Sequence, residues 1–220
     1  MIDDTMVADY KAQFEKNGFV KIKNVLSPEI IELYKSFIDI SHTKDMRRIE
    51  TGTYLGGDIQ NVDHNVLDDS ILLYCKHIIE KIWGIEGMVP SYAFSREYFH
   101  GSELKLHRDR EACQYSITIT MCKRGEGTSF LWFSDEDDIS NPIPVDLDEG
   151  DAIIFNGGSN YGGKWHWRDP LEMDSLVQLF LHYVHPDVSH LADNDFPRPF
   201  YRSRLFLACT FYQKFGKVDL

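Results

Sequence analysis

The sequence predicts a mainly β protein with flanking helices, a jelly-roll or barrel-like sandwich over residues 91–184 with helices from residues 1–90 packed on one of its sheets. Two observations predict this. Residues 91–184 break into seven or eight short β-type runs separated by glycine, proline and acidic turns, whereas apolar segments before Gly84 repeat with the three-to-four-residue period of a helix. A chain of 220 residues, 43% apolar and 13% aromatic, can bury one substantial core, so it reads as a single domain over residues 1–220, with residues 185–220 as a C-terminal extension.

In chain order, residues 5–16 form a short helix stopped by Asn17-Gly18, and residues 19–26 then alternate as a strand. Ser27-Pro28-Glu29 starts the next helix with a capping hydroxyl, a proline at the first helical position and an acid in the first turn; Ile30, Ile31, Leu33, Tyr34 and Phe37 make its apolar face. Residues 41–66 are polar and hold Gly52, Gly56 and Gly57, which predicts a long irregular segment whose Tyr54 closes over a site as a lid. Asp68 or Asp69 caps a further helix with a core face of Ile71, Leu72, Cys75, Ile78, Ile79 and Ile82, ended by Gly84. The β-type runs are residues 92–99, 104–107, 115–122, 128–133, 152–155, 165–167 and 176–184. Asp135-Glu136-Asp137-Asp138 lacks the glycine and terminal glutamate of a calcium loop and reads as a solvated turn. Phe196-Pro197-Arg198-Pro199-Phe200 reads as a proline-stiffened connection, and residues 205–215 as either a final helix or an edge strand.

Charge excludes some partners. With 35 acidic against 23 basic residues the formal charge is −12, which opposes docking on nucleic acid or an anionic membrane. No run approaches the ~18 uninterrupted apolar residues of a membrane span, and Met1-Ile2-Asp3-Asp4 is acidic where a signal peptide needs positive charge, so the expectation is a soluble, cytoplasmic protein. Cys75, Cys113, Cys122 and Cys209 show no Cys-x-x-Cys spacing and read as reduced, mostly buried thiols.

His107-Arg108-Asp109, followed by His166 in Lys164-Trp165-His166-Trp167-Arg168, is the candidate metal constellation. Two histidines and a carboxylate can hold a ferrous ion on one face and leave its other positions open. About one His-x-Asp is expected by chance in this composition, and a second copy, His185-Pro186-Asp187, reads as a turn because proline removes a ladder hydrogen bond. The first copy sits at a strand end, where residues i and i+2 share a side; His107 and Asp109 can then share a metal while Arg108 points away. His166 packed between Trp165 and Trp167 as an aromatic-cluster histidine is the alternative for that residue, and His182, His185 and His190 are later candidates for the distal ligand.

In the order Arg96-Glu97-Tyr98, Gly101, Leu104, His107-Arg108-Asp109, Gly150-Asp151 with its apolar strand 152–155, and His166-Trp167-Arg168, the chain resembles the 2-oxoglutarate and Fe(II)-dependent dioxygenase superfamily. That resemblance implies a double-stranded β-helix core, cupin-like in architecture, with Fe(II) held by His107, Asp109 and His166. It implies 2-oxoglutarate as co-substrate and O₂ as oxidant, with succinate and CO₂ as co-products of aliphatic C–H hydroxylation. It also selects His166 over the later histidines, because Gly150-Asp151 precedes the strand carrying the distal ligand in that family. Related halogenases lack the metal-binding carboxylate, so Asp109 points to oxygenation. Arg110, Cys113, Gln178 and Phe180-Leu181-His182-Tyr183 also look like a subgroup of small oxygenases in which Asp-Arg follows the metal histidine.

One departure stands out. Many members place an Arg or Lys on the last core strand to bind the far carboxylate of 2-oxoglutarate, and the matching position here is Ser175. Arg168, two residues past His166, is the first substitute, since its planar fork can clamp a carboxylate. Arg96 is second, with Lys123 third, and Tyr98 and Thr118 are candidates for neutral hydrogen bonds to the co-substrate. The expected partner is a small-molecule or peptidyl substrate, with Arg96, Arg110 and Lys105 pointing to an anionic one. A metal-dependent cupin-type enzyme without 2-oxoglutarate and a non-catalytic jelly-roll binding module remain open alternatives.

Overall fold

The computed structural model describes residues 4–62, 65–135 and 138–194. In chain order the elements are α1 (Asp4–Asn17), β1 (Phe19–Ile22), α2 (Pro28–Thr43), β2 (Arg47–Ile49), β3 (Leu55–Gly56), β4 (Ile59–Val62) and α3 (Val66–Trp83). Then follow β5 (Val89–Phe99), β6 (Glu103–His107), β7 (Tyr115–Arg124), β8 (Leu131–Asp135), β9 (Asp138–Val145), β10 (Ala152–Asn156), β11 (Trp165–Arg168), β12 (Ser175–Val184) and α4 (His190–Asn194). They build two antiparallel sheets, one of seven strands in the order β1-β10-β7-β12-β5-β4-β2 and one of five in the order β3-β6-β11-β8-β9. From β5 onward the chain passes back and forth between the two sheets, which is the winding of a jelly roll. Among the described residues no helix is long and apolar enough to cross a membrane.

Period-two alternation gives the seven-stranded sheet two different faces. Ile117 and Ile119 of β7, Leu179 and Leu181 of β12, and Ile154 of β10 point to one side and pack with Ile31, Tyr34 and Ile38 of α2 and Leu72, Cys75 and Ile79 of α3. Each such fully buried aliphatic side chain contributes about 1.5–3 kcal/mol. The residues between them, Leu176 and Phe180 of β12 and Ile153 and Phe155 of β10, face the five-stranded sheet and meet Leu104, Leu131 and Phe133. The helices therefore seal one face, and the space between the sheets holds the site.

Several local expectations change. The first strand ends at Ile22 instead of residue 26, because Asn24 has a positive φ of 50° and the chain turns there, its N–H donating to Asp151 Oδ1 at 3.0 Å. Ser27 stands at the N-cap of α2 without a side-chain cap bond. The α3 cap is Asn65, whose side chain accepts from Asp68 N at 2.9 Å, so Asp68 lies inside the helix and is buried. Residues 41–66 are not one irregular segment: α2 runs on to Thr43, β2 and β4 extend the larger sheet beyond β5, and β3 pairs with β6. Strand β9 was not expected from sequence because Pro142 and Pro144 break its pattern; it is an edge strand, where missing ladder donors are tolerated. β8 starts at Leu131, so residues 128–130 are not strand. The readings of residues 196–200, of residues 205–215 and of Cys209 lie outside the described residues.

Candidate metal centre and its cavity

His107 closes β6 and His166 lies on β11, and the antiparallel register places the two directly opposite each other with ring centroids 4.2 Å apart. In each ring Nδ1 faces a carbonyl two residues back, Lys105 O at 2.8 Å and Lys164 O at 3.1 Å. A carbonyl only accepts, so Nδ1 carries the proton and the Nε2 lone pair is turned into the cavity. Asp109 has left the strand but stays extended, its N–H donating to Gly157 O at 3.0 Å and its carbonyl accepting from Ser159 N at 3.1 Å. Its Oδ1 lies 3.5 Å from His107 Nε2 and 3.6 Å from His166 Nε2. Those separations exceed an ordinary hydrogen bond of about 2.7–3.2 Å and suit donor atoms arranged around a shared ion. All three ligand atoms lie within 4.8 Å of one another.

The protonation states favour metal binding. Burial first, then the neighbouring His107, pushes the His166 imidazolium down to about 4, so that ring is neutral at pH 7. For Asp109 burial works to raise the pKa, but His166, His107 and His182 outweigh it and hold the carboxyl well below the usual range. The carboxylate packs closely on Gly157, where a Cβ would come within 2.5 Å of both Asp109 Oδ2 and Cys113 O and 2.7 Å of Ser116 Oγ.

These donors open on a cavity of about 570 Å³. Its wall includes Phe94 and Arg96 of β5, Thr118 of β7 and Phe180 and His182 of β12, all on the inward face of the larger sheet. Tyr54 stacks on His107 at 5.0 Å while half exposed. Arg96 lies over Phe94 at 4.8 Å and donates to both oxygens of Glu50, Nε to Oε2 at 2.6 Å and Nη2 to Oε1 at 2.5 Å. Its charge is thus balanced, and Lys105 is exposed and off the cavity wall. Arg108 turns away from the donors, over Trp165 at 4.8 Å, with Nη1 donating to Ser159 O at 3.3 Å.

Arg168 shares the inward face of β11 with His166, one pleat deeper, and is only 2% exposed. Its Nη2 donates to Gln178 Oε1 and its guanidinium lies 4.5 Å over the Tyr98 ring. Nε and Nη1 have no hydrogen-bond partner, nor does the buried Tyr98 hydroxyl, and among the described residues no carboxylate is in ion-pair range of Arg168. A buried guanidinium left this way is costly, and burial lowers its pKa. Ser175 faces the helices: on β12, Leu176 and Phe180 point between the sheets, so Ser175 alternates to the side of Val177 and Leu179. Lys123 is bound at the surface by Asp146 at 3.1 Å, away from the cavity.

Five residues of the site were not anticipated in these positions: Glu50, Asn61, Phe94, Phe180 and His182. Phe180 and His182 stood in the run that resembles a subgroup of small oxygenases, without a place in the site. His182 is within that strand, not past it, and reaches Asp109 through Ser116, whose Oγ is 2.9 Å from His182 Nδ1 and 3.4 Å from Asp109 Oδ2. With Cys113, His182 and Asp109 form a second cluster of potential ligand atoms. Asn61 lies on β4 and Glu50 just after β2, both in the segment read as irregular, and no local signal marks them.

No protein-family model and no curated protein sequence matches this chain. Solved structures do match its fold. An oxidoreductase of the 2OG-Fe(II) oxygenase family from Burkholderia pseudomallei superposes with a TM-score of 0.64 at 13% identity, over 83% of this chain and 92% of its own. A prolyl-4-hydroxylase from Pseudomonas putida gives 0.63 at 15% identity, over 82% and 99%. The epimerase SnoN, in complex with Fe3+, alpha ketoglutarate and nogalamycin RO, gives 0.68 at 10% identity, over 90% and 92%. The chain therefore has the double-stranded β-helix fold of these oxygenases.

Proposed function

We propose that this protein is an Fe(II)- and 2-oxoglutarate-dependent dioxygenase that hydroxylates an aliphatic carbon of a small molecule or of a peptide residue. The observation that carries the reading is the pairing of two features along β11, a His-Asp-His donor set at His166 and an anion-free buried guanidinium at Arg168. His107, Asp109 and His166 would hold the metal through Nε2, Oδ1 and Nε2. Arg168 Nε and Nη1 and the Tyr98 hydroxyl, two residues along their strands from the cavity-lining His166 and Arg96, would supply three donors for the far carboxylate of the co-substrate. Iron and 2-oxoglutarate, when bound, supply the oxidant for the C–H bond with O₂, leaving succinate and CO₂ as co-products.

The chain's own residues orient and protect. The backbone carbonyls of Lys105 and Lys164 fix both imidazole tautomers. Thr118 lines the cavity near the donors and offers a neutral hydroxyl to the co-substrate, while Phe155 and Phe180 keep water from the reacting carbon. Arg96, engaged by Glu50, stands on the substrate side.

The test is anaerobic titration of the metal-free protein with Fe(II), then 2-oxoglutarate, following the weak visible charge-transfer band of the chelate. A band that needs both and is lost in His166→Ala is the expected result. Metal binding without a band favours a cupin-type enzyme, and no metal binding favours a binding module; either refutes the proposal. Asp109→Ala should stay folded by circular dichroism yet lose iron-dependent turnover, since the carboxylate is no part of the sheet ladders.

A further inference from the structure

Building on that reading, we infer that the substrate is a free aliphatic α-amino acid, held as a zwitterion by Glu50, Asn61 and Arg96 at the polar end of the cavity. All three line the same cavity as the metal donors. Asn61 on β4 is the register partner of Arg96 on β5, and Glu50, which follows β2, closes on Arg96 through two hydrogen bonds of 2.6 and 2.5 Å. Asn61 Oδ1 is buried without a hydrogen-bond partner. An unmet buried acceptor is destabilising, and a ligand donor relieves it.

The charge pattern selects the ligand. A simple anion meets an Arg96 already balanced by Glu50, and a simple cation meets a Glu50 already balanced by Arg96. A molecule carrying an ammonium and a carboxylate on one carbon can set each against its opposite, the carboxylate against Arg96 and the ammonium between Glu50 and Asn61 Oδ1. The alternating arrangement leaves no net charge buried. Of the remaining lining, Phe94, Phe180, Leu104, Leu131 and Phe155 give apolar surface for an aliphatic side chain, while Arg108 is drawn off by Ser159 O and Trp165 and Arg110 by the Tyr92 hydroxyl. A residue inside a peptide has neither free charge, so the peptidyl option loses this end of the cavity.

The test is calorimetric binding of L-leucine, L-isoleucine, L-methionine and L-lysine to the metal-free protein, beside N-acetyl-L-leucine, L-leucine methyl ester and N-acetyl-L-leucine amide. The same additions are then made to the anaerobic Fe(II)/2-oxoglutarate complex while its visible band is followed. Expected are binding of a free apolar amino acid about 100-fold tighter than its singly blocked forms, and a shift of the band on its addition. Asn61→Leu should weaken the free amino acid at least tenfold and leave N-acetyl-L-leucine unchanged. Equal binding of blocked and free forms overturns the inference, as does an intact band that no free amino acid shifts together with no calorimetric binding. If no band forms, the co-substrate reading falls alone, and the calorimetry still decides for or against the zwitterion.

Discussion

Replacing Arg168 by methionine separates a ligand-binding arginine from a structural one, because the two roles move stability and affinity in different directions. Arg168 has two donors, Nε and Nη1, without partners, and keeps one bond to Gln178. Charged hydrogen bonds contribute about 1.5–3 kcal/mol each, so at the lower figure two of them place about 3 kcal/mol on the far carboxylate of 2-oxoglutarate. The dissociation constant should rise by roughly two decades. The unliganded variant should be at least as stable as the parent, since an uncompensated buried cation disappears and methionine fills the stem's place against Tyr98. Calorimetry of 2-oxoglutarate with the Mn(II)-loaded protein measures the first, and urea unfolding of the metal-free protein the second. Arg168→Lys, which keeps the charge and loses the fork, should fall between, about tenfold weaker. Methionine binding within threefold of the parent, or a metal-free variant destabilised by several kcal/mol, would refute the reasoning.

Other residues give independent checks. Gly157→Ala brings a methyl group to 2.5 Å from Asp109 Oδ2 and should cost at least tenfold in metal affinity with the far-UV spectrum unchanged, measured by competition with a chelator. Glu97, 1% exposed, meets Arg47 at 2.6 Å and His42 at 3.0 Å between α2 and β5. Glu97→Gln should destabilise by about 3 kcal/mol in urea, because Arg47 stays buried without its counter-charge. Burial raises the Asp68 carboxyl from 3.8 to about 6 despite the Tyr34 hydroxyl at 2.7 Å. The folded pKa lies above the unfolded one, so this group stabilises fully below pH 4 and the contribution is lost as pH rises through 6. That displacement is worth about 3 kcal/mol; Asp68→Asn should remove this part of the pH dependence of unfolding between pH 4 and 7.

The fold was legible wherever a segment's own periodicity decided its structure. β7 alternates strictly and β12 stands out as an apolar run, and α3 is recognisable from its apolar face and from Gly84, which ends it at a φ of 68°. The convergence of the proposed donors was legible because a strand places i and i+2 together, although Asp109 lies just beyond the end of β6. What escaped depends on partners distant in sequence. β2 and β4 are three and four residues long and exist through the exposed edge of β5, and β9 survives its prolines only as an edge. Glu50 and Asn61 line the cavity through those strands, so the proposed substrate end was hidden along with them. The partner of Arg96 was hidden for the same reason, since Glu50 comes from 46 residues earlier.

The position of the buried cation explains why Ser175 need not be basic. In the proposed arrangement a metal ligand and a carboxylate anchor sit two residues apart on one strand, about 6.6 Å at the usual rise, a span suited to the two ends of a five-carbon dicarboxylate. β11 then carries both a metal ligand and the anchor, while its register with β6 brings His107 opposite His166. An anchor on β12 would have to point between the sheets from the positions that Leu176 and Gln178 occupy, and Gln178 instead holds Arg168 in place from across the gap. Moving the charge to the smaller sheet leaves the inward face of the larger one, Phe94, Arg96, Phe180 and His182, to shape the substrate's side of the cavity. On this geometry, exchanging Gln178 for leucine should weaken 2-oxoglutarate by loosening Arg168, whereas exchanging Ser175 for arginine should not rescue Arg168→Met, because that side chain starts on the helix face. Calorimetric rescue by Ser175→Arg would show that the cation's strand is interchangeable and that β11 does not set the span.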